Sequence, residues 1–368
     1  MKIAMLTNSL SIGGGTEYIR LIVNHMPMHD FTVFSLCGGI FPGLEGLDNV
    51  NTVTTWPDRA VFTSGKFDLI HTHHLRPLLK LCPPCGIPTV NTVHGIHSRQ
   101  FEFMRGPANA TKGFLRKRLE RFLFSRVDAN IVLTEDDETY LRDNYHLKNL
   151  ERIPNGIELP PRVDVPVDRE ALRAELGLPP RKHWLMMTAR FATLPKGQDI
   201  LLEAVLKAKE SLLQNRVGIA LIGDGDGLPD AKHFVEKHGL KDVVFFCGAL
   251  PCAANYLPLA DILLLPSRWE GMPLVALEAG CRGIPILGSN APGISSIIRD
   301  GETGWLFRSG DAQALADLLA DPGCYANAAD FGMRWKKEVE EHYTVRQMIE
   351  KIEALYRRLE KRHATEAG

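Results

Sequence analysis

Two successive α/β sheets are what this sequence predicts, and three observations carry that expectation. Short apolar runs alternate with stretches of helical period, a proline-crowded interval divides the alternation in two, and the chain is 368 residues long. A chain of that length exceeds the size at which a single hydrophobic core keeps growing. Strands that read as unbroken apolar runs, with helices between them, imply parallel sheets covered on both faces.

The first series of runs is Ile3 to Leu6, Phe31 to Leu36, Leu69-Ile70, Thr89-Val90 and Ile131 to Leu133. The second is Trp184 to Thr188, Val217 to Ile222, Val243 to Phe246, Ile262 to Leu265 and Pro285 to Leu287. Between them Pro154, Pro160, Pro161, Pro166, Pro179 and Pro180 crowd a segment whose periodicity supports only a short helix near Glu170 to Leu176. Proline removes a backbone donor and resists helix interiors, so this reads as a linker. The predicted domains are residues 1–160 and 161–344. From Val345 onward, Met348, Ile349, Ile352, Leu355, Tyr356 and Leu359 recur at helical spacing among charges. This predicts one amphipathic helix, about 345–362.

Composition excludes some functions and leaves others open. The chain is 45% apolar and 24% charged, with a formal net charge of -1. It has no overall field to recruit nucleic acid, so none is expected as a partner. The seven cysteines are scattered and odd in number, which fits a reducing, cytoplasmic compartment. No signal peptide and no spanning helix are read from the sequence.

Three groups of residues bear on chemistry. Gly13-Gly14-Gly15 stands between the first strand and a helical stretch, Tyr18 to Met26. Its amides can hold phosphate, though a tight strand-to-helix turn accounts for the same glycines. Arg190 and Lys196, with Gly197 behind the lysine, follow the first strand of the second domain. They can neutralise a leaving diphosphate without a metal, although a lone basic pair is also what a solvated loop carries. Glu270 stands on the loop Pro266-Ser267-Arg268-Trp269-Glu270-Gly271-Met272-Pro273, and Glu278 lies two turns into the following helix. Carboxylates there can accept from sugar hydroxyls, while amides beside Pro273 and Leu274 face phosphate.

Glu270-x7-Glu278, preceded by Pro-Ser and enclosing Glu-Gly-x-Pro, resembles the signature of the retaining GT-B glycosyltransferases called family 4. The resemblance runs along nearly the whole chain in the family's order. It takes in Gly14-Gly15-x-Glu17, Asp68 to His71, Thr92-Val93-His94-Gly95, Pro154 to Ile157, and Arg190 with Lys196-Gly197. Gly223-Asp224-Gly225, Gly248, Ala260-Asp261 and Asp300-Gly301-x-Thr303-Gly304 complete it.

The resemblance implies two facing Rossmann-like domains with a donor cleft between them, the second binding the nucleotide sugar and the C-terminal helix packing back on the first. It further implies sugar transfer from a nucleotide diphosphate sugar to a glycan, lipid-linked or small-molecule acceptor, as in polysaccharide, lipopolysaccharide or glycolipid biosynthesis. In similar enzymes the counterpart of Glu278 holds the ribose hydroxyls and that of Glu270 meets the transferred sugar. Arg190 and Lys196 would bind the diphosphate, assisted by Gly14, Gly15, Gly248, Gly271, Met272, Pro273 and Leu274. His94 would face the transferred sugar. No cofactor or metal is expected. The sequence departs from the family at Met272, where phenylalanine is common, and at Asn290 to Ile298, which lacks the glutamate often found there.

Other clusters point elsewhere. Asp224-Gly225-Asp226 spells a metal-binding DxD but is read as a turn. Cys82-Pro83-Pro84-Cys85 has no second pair, and His71, His73 and His74 lack helical metal spacing. Among alternative functions, an NAD-dependent oxidoreductase lacks its G-x-G-x-x-G, whereas a non-catalytic nucleotide-sugar binder would carry the same motifs. Finally, residues 112–126 set Lys112, Arg116, Lys117, Arg118, Arg121 and Arg126 against Glu120 alone, beside an apolar stripe of Phe114, Leu115, Leu119, Phe122 and Leu123. That pattern suits a helix resting on the inner face of an anionic membrane, and equally a helix packed on the sheet with a solvated basic face.

Overall fold

A computed structural model describes the chain except residues 12, 40–42, 45, 105, 161–166 and 368, so Pro161 and Pro166 of the linker lie outside the described residues. Two compact units result. The first comprises Met1–Gly156 with Thr344–Gly368, and the second Ile157–Tyr343. The chain passes from the first unit to the second at Gly156–Ile157, inside the proline-bearing interval and close to the division read at residue 160. Gly156 sits hard against the Thr344 backbone, and its amide lies 3.2 Å from Met348 Sδ.

The first unit holds a parallel sheet of seven described strands: β1 (Lys2–Thr7), β2 (Asp30–Ser35), β3 (Val50–Val53), β4 (Leu69–His73), β5 (Thr89–Val93), β6 (Ala129–Val132) and β7 (Leu150–Arg152), in the order β3-β2-β1-β4-β5-β6-β7. β1 is an interior strand and apart from Lys2 fully buried, which explains its unbroken Ile-Ala-Met-Leu run. β4 and β5 extend beyond their apolar pairs because their polar residues are paired inside the protein. The Thr72 hydroxyl donates to Asn91 Oδ1 at 2.9 Å, Asn91 Nδ2 to Asn130 Oδ1 at 3.0 Å, and Asn130 Nδ2 to the Phe124 carbonyl at 2.8 Å.

The second unit repeats the plan with β8 (His183–Thr188), β9 (Val217–Ile222), β10 (Val244–Gly248), β11 (Ile262–Leu265), β12 (Ile286–Ser289) and β13 (Gly304–Phe307), all parallel, in the order β10-β9-β8-β11-β12-β13. The helix Gln198–Gln214 buries Ile200, Leu201, Ala204, Val205 and Leu212 on this sheet and packs along the helix Ala312–Ala320. The helix Pro322–His342 carries the fully buried Trp335, whose indole donates to the Ala276 carbonyl at 3.0 Å.

The terminal helix, Val345–Ala367, belongs to the first unit. It buries Met348, Ile352, Leu355, Tyr356 and Leu359, the stripe expected from their spacing. Glu353 pairs with His29 at 2.6 Å, and the Tyr356 hydroxyl lies 2.5 Å from His71 Nδ1. Deleting that hydroxyl orphans a buried ring nitrogen while leaving the aromatic packing intact. Tyr356→Phe is expected to cost about 1–3 kcal/mol, read as a lower urea midpoint at unchanged m-value; an unchanged midpoint would refute the structural importance of the bond.

Candidate active site

In each sheet the chain builds outward from one strand to one edge and then returns to the strand's other side. In the first unit the reversal lies between β1 and β4, and in the second between β8 and β11. All pairings are parallel, so at each reversal two loops leave the carboxyl ends of neighbouring strands, the position where open α/β sheets bind ligands.

Arg190 and Lys196 leave β8 and the Ser267–Glu270 loop leaves β11, so the β8–β11 reversal gathers them. Lys196 Nζ donates to Glu270 Oε1 at 2.7 Å and to Oε2 at 3.0 Å. The Ser267 hydroxyl donates to Oε1 at 2.7 Å. The two loops are stitched by backbone and charge. The Arg268 amide donates to the Pro195 carbonyl at 2.9 Å, and its guanidinium takes both oxygens of Asp199 at 2.9 and 2.6 Å. Gly197 has φ +70°, and a Cβ there would stand 2.1 Å from the Pro266 carbonyl oxygen, so only glycine permits this approach. The Arg190 side chain is exposed, while its carbonyl is held by Gln198 Nε2 at 2.9 Å.

The remaining donor-side candidates surround this pair. Gly271, Met272 and Pro273 are buried and lead into the helix Leu274–Gly280, whose start no side chain caps. Glu278 is half-buried on that helix. Gly248 closes β10 and accepts from the Gly223 amide at 2.8 Å. The loop that lacks the family's glutamate braces the site, since the Pro292 carbonyl accepts from the Glu270 amide at 3.2 Å. Asp224 and Asp226 are exposed on a turn whose Asp224 carbonyl accepts from the Phe191 amide at 2.9 Å. Among the described residues no group of His, Cys, Asp and Glu is arranged to hold a metal ion.

The β1–β4 reversal of the first unit holds a histidine patch. Gly14 and Gly15 open the helix Gly14–His25, and a Cβ on Gly15 would lie 2.9 Å from His74 Nε2, which leaves room there only for hydrogen. His94 follows β5, with its Nε2 3.1 Å from His73 Nδ1. Tyr18 meets the rings of His94 and His73 edge-on at 5.1 and 5.7 Å. His71 lies between the hydroxyls of Tyr356 and Thr92, the latter 2.7 Å from its Nε2.

Two family models match consecutive parts of the chain, Glycosyltransferase Family 4 over residues 12–159 and glycosyl transferases group 1 over 168–321. The chain belongs to the family 4 glycosyltransferases. A Bacillus anthracis N-acetyl-alpha-D-glucosaminyl L-malate synthase is 26% identical over 299 residues, 78% of this chain and 74% of that protein. A D-inositol 3-phosphate glycosyltransferase of Arthrobacter sp. (strain FB24) is 29% identical over 269 residues, 69% of this chain but only 62% of the relative. The solved structure of Anabaena HepE with UDP-glucose is 21% identical, with a TM-score of 0.81 over 96% of this chain and 99% of its own. The fold is therefore GT-B, two α/β units of Rossmann type.

In this glycosyltransferase the two reversals carry opposite electrostatics. The second unit presents formal charges, whereas the imidazoles of the first are held neutral. Burial pushes His71 down to about 3 and His73 well below the usual histidine range, helped by the imidazoles of His71, His94 and His74. His94 is held well below it by burial and by His74, His71 and His97. At neutral pH His94 thus offers one donor and one acceptor rather than a cation, a chemistry suited to hydroxyls.

Sequence reasoning singled out the two glutamates, the cations and His94, but not Ser267 as a partner of Glu270, Ser289 as the support of Ser267, or Tyr18, His73 and His74 as neighbours of His94. Alternation along β4 offered a signal, because His71 and His73 share one face of the strand. Since the folded protein keeps these imidazoles neutral, falling pH lets only the unfolded chain take up protons. Stability is full above about pH 6.5 and is lost as pH falls towards the depressed values, by at most about 1.4 kcal/mol per pH unit for each such histidine. Urea midpoints measured from pH 7.5 to 5 are expected to drop; a flat profile would contradict neutral burial.

Proposed function

We propose that this glycosyltransferase moves a sugar from a nucleotide diphosphate sugar to a glycan, lipid-linked or small-molecule acceptor, with retention at the anomeric carbon and without a metal. The Lys196–Glu270 pair at the β8–β11 reversal carries this reading: it sets a cation for the diphosphate beside a carboxylate for the sugar's hydroxyls. Arg190 joins Lys196 on the diphosphate, and the charge that develops on it is stabilised by these cations and by the second unit's amides at Gly248, Gly271, Met272 and Leu274. Glu278 takes the ribose hydroxyls, and in the first unit neutral His94 offers one donor and one acceptor to a sugar hydroxyl.

In the step itself the bond from the anomeric carbon to the diphosphate oxygen breaks, and the acceptor hydroxyl oxygen bonds to the same face. Its proton passes to the departing phosphate oxygen. No enzyme carboxylate forms a covalent intermediate, which is consistent with Glu270 being occupied by two donors.

Nucleoside diphosphates and nucleotide sugars tested in EDTA are expected to include one base that raises the melting temperature of the wild type. The shift should vanish in Glu278→Ala and in Lys196→Ala. Shifts with dinucleotides alone, or with none, would refute the donor site.

A second part of the proposal is peripheral contact with an anionic membrane through residues 112–126. The helix Pro107–Phe124 buries Leu123 and Phe124, while Phe114, Leu115 and Phe122 remain more than half exposed beside Lys112, Arg118 and Arg121. Glu120, the segment's one acid, turns inward to the Tyr145 hydroxyl at 2.7 Å, so the outer face is basic and apolar. A basin of about 570 Å³ there is lined by Phe114, Lys117, Arg118, Arg121, Phe122, Ser125 and Asn144. That combination suits acyl chains below phosphate headgroups. Among the described residues no helix is long and apolar enough to cross a membrane. Co-sedimentation with vesicles containing anionic lipid should exceed that with neutral vesicles and fall several-fold in Lys117→Glu/Arg118→Glu; equal binding by both proteins would end this part of the proposal.

A further inference from the structure

The Glu270 carboxylate is held by two donors of very different mobility. Lys196 reaches both oxygens from a flexible stem whose side chain is 29% exposed. Ser267 is 1% exposed and reaches Oε1 alone. Its backbone is fixed in turn, because the buried Ser289 hydroxyl at the end of β12 donates to the Ser267 carbonyl. Both serines and the glutamate thus belong to one rigid corner of the second unit, whereas the lysine can move.

This asymmetry has a consequence if Lys196 serves the diphosphate, as proposed above. A diphosphate arriving at the β8–β11 reversal competes for the ammonium, and the carboxylate, with a side chain only 12% exposed, loses its charged partner. The Ser267 hydroxyl stays. It keeps Oε1 in place and leaves Oε2, the oxygen that only Lys196 had engaged, open to a new donor. A hydroxyl of the donor sugar supplies one, and a bare nucleoside diphosphate has none to offer at that position.

We infer that Ser267 is a positioning residue for Glu270, which holds the carboxylate for a sugar hydroxyl and so lets the enzyme prefer a nucleotide sugar over the corresponding nucleoside diphosphate. The inference rests on the donor-site reading and extends it to specificity. Ser267 touches neither substrate nor diphosphate in this scheme; its effect passes through Glu270.

The test is calorimetric titration of the full-length wild type, Ser267→Ala and Ser289→Ala with the matched pairs UDP and UDP-glucose, GDP and GDP-mannose, and ADP and ADP-glucose. Ser267→Ala should bind the nucleoside diphosphate within about twofold of wild type while losing about tenfold in preference for the nucleotide sugar, as loss of one hydrogen bond to a charged group implies. Ser289→Ala, which loosens Ser267 without removing its hydroxyl, should show the same selective loss at smaller size. It also decides the matter if Ser267→Ala fails to fold. Parallel weakening of both ligands, or no change in either, would overturn the role of Ser267 while leaving the donor site standing. Failure of the wild type to bind any pair would remove the donor site itself.

Discussion

The pairing of β8 with β11 is the constraint on which the Lys196–Glu270 arrangement depends. The two strands are adjacent in the sheet although β9 and β10 separate them in the chain, and their registered contacts, Ile262 with Leu185 and Leu263 with Met186, are apolar and buried. Nothing in that contact is itself chemical. It nevertheless brings a lysine and a glutamate 74 residues apart to 2.7 Å, because both loops leave the same edge of one parallel ladder. The Arg268–Asp199 fork and the glycine at position 197 then remove the freedom those loops would otherwise keep. A disturbance of the β8–β11 core would therefore reach the site without touching any of its side chains.

The Lys196–Glu270 pair contributes organisation more than stability. A partly exposed ion pair gains little in water, and this one is shared with a serine hydroxyl. Its value lies in keeping the Glu270 carboxylate charged and placed against the Ser267 hydroxyl, while the more exposed lysine stays free to turn towards another anion. The first unit follows the opposite course. Its histidine patch is buried and neutral, and the rings order one another by hydrogen bonds and edge contacts rather than by charge.

Much of this was legible in the sequence; the three strands that were not read, β3, β7 and β13, are all edge strands, and the other omissions involve buried polar groups. The apolar runs located ten of the thirteen described strands because parallel strands are buried on both faces, and the order of short motifs placed Glu270, Arg190, Lys196 and His94 after strand ends and Glu278 on the helix that follows. Pattern reading failed where burial is polar. The Thr72–Asn91–Asn130 ladder makes strands of segments that alternate too weakly to be read at full length. Glu120 looked like a stray acid on a basic helix face, yet it points inward to Tyr145 and Ser98, which divides the expected apolar stripe of 112–126 into an inner and an outer set. Ser267 lay inside the recognised motif without any local signal, since its partner Ser289 comes from another strand. Such pairings depend on sheet order, which local periodicity does not encode.

The terminal helix shows how a packing element takes part in the site's geometry. Its apolar stripe would dock on the first unit without any tyrosine. Tyr356, however, places a hydroxyl on His71 Nδ1 at the moment of docking, while Thr92 of the neighbouring strand closes the other ring nitrogen. With both nitrogens engaged, the His71 ring has one orientation, and the His73 ring lies 4.3 Å from it on the same strand face. His73 in turn hydrogen-bonds His94. The histidine at the end of β5 is thus linked through two rings, His71 and His73, to a residue 262 positions further along the chain (356 − 94). The terminal segment therefore does more than cover the sheet with its apolar stripe, because it also supplies a hydrogen-bond partner to the histidine patch.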